Sequence, residues 1–187
     1  MIKVSSREDR TDLALDQATR MAFVQKLSHK SALHLRLLSE EMMCMMHAIA
    51  GDVDGEFWIE NKGSCYELHL RCYTFMDERK RQMLLSASSS GKNEAERGFM
   101  GKLRAFFEPT EDLPPFCSFN ADGTYSEMVW SMRSYQQVLR QYVDQNREGA
   151  EEAWDELEKS MVSHLADDVR VSIRGNEVEM TVLRNLE

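Results

Sequence analysis

No run of apolar residues in this chain reaches the ~18 needed to cross a bilayer, so a membrane span is not expected. The first residues, "MIKVSSREDR", have no apolar core of the kind a signal peptide needs. Positive charge is in deficit: the net charge is −9 and the pI is near 5.1, which sets the surface against phosphate backbones and nucleic acid. The four cysteines, Cys44, Cys65, Cys72 and Cys117, form no CxxC pair. They read as reduced thiols in a cytoplasmic protein. The five histidines show neither HxxxH nor HExxH spacing, and Cys65 and Cys72 fall on opposite faces of one strand, so no metal site is expected. GxSxG is absent, as is the upstream glycine of a P-loop. No glycine occurs between Gly63 and Gly91, and all three prolines fall within residues 108–130.

Apolar periodicity is plentiful. Residues 2–5, "IKVS", suit a short strand. Thr11 or Asp12 can cap a helix carrying Leu13, Leu15, Ala18, Met21, Ala22 and Leu27. Ser28 or Ser31 can open a second helix whose stripe is Leu35, Leu38, Met42, Met45 and Ile49. "EFWIE" and "CYELHLRCY" then make a hairpin, with the tight turn at Lys62-Gly63. In its second strand Tyr66, Leu68, Leu70 and Cys72 share one face, while Glu67, His69 and Arg71 share the other. "FMDERKRQMLL" suits a short helix, and another runs from about Asn93 to Phe107. Residues 108–130 read as an irregular loop, and 131–168 as helix broken near Gly149. In that helical stretch Trp154, Leu157, Met161 and Leu165 form an apolar stripe that either docks on the domain's own core or meets a partner. "DVRVSIR" and "EVEMTVLR" close the chain as a hairpin.

One-sided hairpins mixed with long helices predict a two-layer α+β sandwich in a single domain, 1–187. Its sheet is mixed and mostly antiparallel, with helices over one face. The core is read as 1–107 and 168–187, and 108–167 as an irregular and helical insert.

The order "ALHLRLLSEEMMCMMHAI", "GEFWIENKGSCYELHLRC", "ERGFMGKLRAFF" and "VRVSIRGNEVEMTVL" resembles that of the histidine-kinase-like (Bergerat-fold) ATPases. Within that family it is most similar to the bacterial anti-sigma-factor serine kinases. The resemblance covers most of 1–107 and 168–184. It implies Mg-ATP as cofactor and a sigma-factor-like protein, another regulator or a second copy of the chain as partner. It also implies a Glu-x-x-x-Asn helix motif and an Asp-x-Gly-x-Gly adenine turn. Here Glu41 stands as the candidate catalytic base, but the Asn position holds Met45, or Cys44 counting from Glu40. Neither supplies the hard oxygen that Mg²⁺ requires. The adenine turn is missing from "RCYTFMDERKR", where Asp77 is the only aspartate.

The phosphate end retains candidates: Ser89, Ser90, Gly91, Lys92 and Asn93, preceded by Ser88, with Gly98 and Gly101 on the following helix. A helix N-terminus with free N–H groups and a nearby lysine suits an anion, although a polar loop capped by Asn93 accounts for the same residues. Besides a purely structural, self-associating domain unrelated to nucleotides, two functions follow. One is a degenerate ATPase-like binding or regulatory protein without phosphotransfer. The other is an active ATP-dependent kinase-like enzyme using Glu41 as base and Lys92 on phosphate.

Overall fold

A computed structural model of the chain describes residues 1–5, 11–50, 52–73, 117–119, 125–147, 150–174 and 177–186. Strand β1 (Ile2–Ser5) leads to helices α1 (Asp12–Val24) and α2 (His29–Ala50), then to the hairpin β2 (Asp54–Lys62) and β3 (Cys65–Tyr73). After these come β4 (Cys117–Phe119), β5 (Tyr125–Ser131), helices α3 (Met132–Asp144), α4 (Ala150–Lys159) and α5 (Met161–Leu165), and the hairpin β6 (Asp168–Arg174) and β7 (Glu177–Asn185). The seven strands form one sheet in the order β1-β2-β3-β7-β6-β5-β4, and every pairing among the described residues is antiparallel. The fold is the expected two-layer α+β sandwich.

Strand alternation builds the core. Phe57, Leu70, Met180 and Val171 face one another across four strands, and Ile59, Leu68, Val182 and Val169 form the next row. All eight side chains are buried. Full burial of an aliphatic or aromatic side chain is worth about 1.5–3 kcal/mol, so these two rows are a large part of what holds the sheet. Helix α2 packs on β3 and β7 from that side, and α1 packs on β1 and β2. The buried face of α2 is wider than its predicted stripe: Leu35, Leu38, Met42 and Met45 are buried, and so are Ser39, Met43 and Met46. Besides the sheet, α2 packs on α1 and α5. Unbranched thioethers fill such irregular gaps between elements.

Helix α1 differs from expectation. Its buried residues are Ala14, Ala18 and Ala22, four apart, whereas Leu13 is exposed. Small side chains let the helix lie close to its neighbours, α2 above all and then β1 and β2, and leucine at those positions would hold it off. The helix ends in a paired cap without glycine. Lys26 takes a left-handed φ of 53°, its N–H donates to Phe23 O at 3.1 Å, and Leu27 N–H donates to Ala22 O at 3.0 Å. Ser28 then caps α2 by accepting from Ser31 N–H at 3.1 Å. The same pattern ends α3, with Asn146 at φ 51° and Arg147 N–H donating to Tyr142 O. The helical break therefore comes three residues before Gly149.

Two further expectations are corrected. Residues 108–130 were expected to be irregular, but 117–119 and 125–131 are strands, and β5 joins the sheet beside β6. The β2–β3 turn centres on Gly63-Ser64, because Lys62 pairs with Cys65 and Gly63 carries φ +79°. The Trp154 stripe docks inward: Leu157 is buried and Trp154 and Leu165 lie partly buried against the core, while Met161 stays exposed. At the sheet's first edge, β1 pairs only with Asp54–Phe57 of the nine-residue β2.

Two substitutions test this packing. A Cβ at Gly55 would lie 2.7 Å from the Arg71 carbonyl oxygen, which is fixed backbone. Gly55→Ala should therefore cost about 1–3 kcal/mol in urea denaturation, although alanine normally favours an ordered strand over glycine. Lys26→Gly should instead stabilise by about 0.5 kcal/mol, since relief of left-handed strain exceeds the added chain entropy of glycine.

Candidate functional site

The strand residues that do not enter the core meet on the opposite face of the sheet. Trp58, His69, Thr181 and Arg170 form one cross-strand row there. Glu56, Arg71, Glu179 and Ser172 lie on one side of it, and Glu60, Glu67, Leu183 and Asp168 on the other. The period of two that sends Phe57, Leu68 and Leu70 inward sends Trp58, His69, Arg71, Glu60, Glu67 and Glu179 to this other face.

The centre is closely organised. The Trp58 and His69 rings stack with centroids 4.8 Å apart and planes 4° from parallel. The Arg71 guanidinium sits 5.3 Å from the Trp58 ring, a cation–π contact, and donates to Glu179 Oε2 at 3.0 Å. Its Nε lies 3.8 Å from Glu177. These carboxylates hold the Arg71 pKa above its ordinary value, the hydrogen bond to Glu179 being the main cause. His69 Nδ1 lies 3.2 Å from Thr181 Oγ1 and 3.6 Å from Glu179 Oε1. Its Nε2 lies 3.4 Å from Glu67 Oε2. Lys62 pairs with Glu67 and lies 3.6 Å from Glu60. That pairing, first through the Glu67 hydrogen bond, raises the Lys62 pKa. Trp58 Nε1–H donates to Glu60 Oε1 at 3.0 Å, and this is the chief reason the Glu60 carboxyl is held below its usual 4.5.

Of the residues singled out from sequence, Glu41, Met45 and Cys44 fall elsewhere, on α2. Glu41 is half-buried on α2, on the helix side of the sheet, in the stripe with His34, Leu37 and the exposed Cys44. His34, on that stripe, is held below the usual 6.5, by burial first and then by Arg184 and Lys30. Met45 is only 3 % exposed and belongs to the core. Ser89, Ser90, Gly91, Lys92, Asn93, Gly98 and Gly101 lie outside the described residues, as does Asp77. Glu41 is thus the one candidate site residue that falls among the described residues. The outer-face cluster was missed as a site because Glu67, His69 and Arg71 read as the polar side of a hairpin, and the metal ligands considered beside His69 were cysteines rather than Glu60 and Glu67. One signal was present: on β2 and β3, Trp58, Glu60, Glu67, His69 and Arg71 are all polar or aromatic at strand spacing.

Comparisons with protein-family models, with curated proteins and with solved structures give no match.

The indole–carboxylate contact yields a titration test. A depressed carboxyl pKa adds stability that is present above the unfolded value and lost as pH falls through the folded one. Trp58→Phe removes the N–H donor, so the Glu60 carboxyl should move back up toward 4.5 in a side-chain ¹³C NMR titration.

Proposed function

We propose that this chain is a binding or regulatory module built on an ATPase-like α+β scaffold, acting without phosphotransfer. One observation carries this reading. Met45, four residues after Glu41, is buried in the core at 3 % exposure. In the family the chain resembles, that position holds a metal-binding amide. A thioether inside an apolar core offers Mg²⁺ neither a hard ligand nor access. Phosphoryl transfer depends on metal-held charge neutralisation, and a scaffold without that ligand retains shape rather than chemistry.

A protein partner suits the surface of α1. Phe23 and Val24 adjoin each other at its C-terminal end, 85 % and 69 % exposed. Isolated exposed apolar residues are ordinary on soluble proteins, but a neighbouring phenylalanine and valine held this far into water favour contact with another chain. A sigma-factor-like regulator is the partner that the resemblance suggests.

Two measurements test the proposal. Mg-ATP at millimolar concentration should give no thermal shift, whereas a ligand at ~100 Kd would add about 2.7 kcal/mol of stability. A clear shift that disappears in Lys92→Ala would overturn the reading in favour of an active nucleotide enzyme. A partner recovered by affinity capture on the wild type should be lost on Phe23→Ser, a surface change that alters stability by less than ~0.5 kcal/mol.

A further inference from the structure

We propose that Glu60, Glu67 and His69 on the outer face of β2 and β3 form a binding site for a divalent transition metal of the zinc class. One ligand atom from each of the three lies within 4.8 Å of the others. The strands set this arrangement: Glu60 and Glu67 are directly paired, and His69 follows Glu67 by two on the same face.

The histidine points to a metal rather than to a plain ion pair. Its Nε2 is buried and has no hydrogen-bond partner among the described residues, and the side chain as a whole is 12 % exposed. The 3.4 Å from Nε2 to Glu67 Oε2 is longer than a good N–H···O bond. It matches the edge of a tetrahedron around zinc, where metal–ligand bonds of about 2.0–2.1 Å place neighbouring ligand atoms ~3.4 Å apart. The other ring nitrogen is already engaged: Nδ1 lies against Thr181 Oγ1 and near Glu179. Metal-bound histidines are commonly oriented in this way through their second nitrogen. The parallel Trp58 ring limits rotation of the imidazole, so Nε2 stays directed at the carboxylates. Imidazole with two carboxylates suits zinc-class ions better than Mg²⁺, which prefers all-oxygen ligands and retained water.

Lys62 is the competing cation. Its ammonium neutralises the same two carboxylates, and its side chain is 54 % exposed at the end of β2. A long exposed lysine can rotate into solvent when a dication arrives. The three protein ligands leave the fourth tetrahedral position to water or to a group from another molecule.

Isothermal titration of the full-length protein with ZnCl₂ tests the site, with Co²⁺ absorption as a second readout. Stoichiometric binding is expected. His69→Gln and Glu67→Gln should each weaken it at least ~10-fold, the scale on which supporting groups alone act at metal sites. Lys62→Met should tighten it, because the competing charge is gone; an adventitious surface histidine would not respond in that way. Co²⁺ should give a tetrahedral nitrogen–oxygen spectrum with no thiolate charge-transfer band. The proposal fails if no zinc is bound, or if Lys62→Met leaves the affinity unchanged. It also fails if binding persists in His69→Gln but disappears when Cys44 and Cys65 are both replaced by serine.

Discussion

The cross-strand row Phe57–Leu70–Met180–Val171, pressed under α2, is the constraint on which the other features depend. In a strand, side chains can only alternate. Once this row is committed to the helices, every residue between its members is committed to the other face. Register is equally fixed, since a slip of one position would expose Leu68 and Leu70 and bury Glu67 and His69. The stacking of Trp58 on His69 is therefore a consequence of where the core lies.

This division gives the molecule two chemically distinct surfaces. The helix side is apolar, rich in methionine and closed around Met42, Met43, Met45 and Met46. The opposite side carries paired charges, with Arg71 between Trp58 and the carboxylates of Glu177 and Glu179. Ionic contacts on such a half-wet surface contribute little to stability one at a time. Their effect is positional: they hold side chains in one arrangement, which a recognition surface requires more than a core does.

Much of the fold was legible because it rests on periodicity. The β2–β3 and β6–β7 hairpins, the helices after Met132 and the inward row of Tyr66, Leu68, Leu70 and Cys72 all follow from alternation or three-to-four spacing. What escaped depends on contacts distant in sequence. The alanine face of α1 looks weaker than its leucines until α2 and the sheet pack against the helix. Strand β4 has only three residues and follows Pro114 and Pro115 closely, and the pairing of β4 with β5 and of β5 with β6, rather than local preference, makes them strands. The cap at Lys26 uses a residue that rarely adopts a left-handed φ, so no local signal announced it. The outer-face cluster was half legible. Glu67 and His69 lie two apart on one strand, but Glu60 joins them only through the hairpin register, and Thr181 comes from 112 residues away. Spacing along the chain carries little trace of such a cluster, because the sheet assembles it across strands.

The partial cover of β2 by β1 has its own implication for how the molecule behaves at high concentration. Beyond Phe57 the outer rim of β2 has no strand partner among the described residues, and a bare rim is a template on which sheets of neighbouring molecules could join end to end. Glu60 and Lys62 stand along that stretch. A strand docking there would have to desolvate both, so the same charges that decorate the polar face also act as a guard against fibre-like stacking.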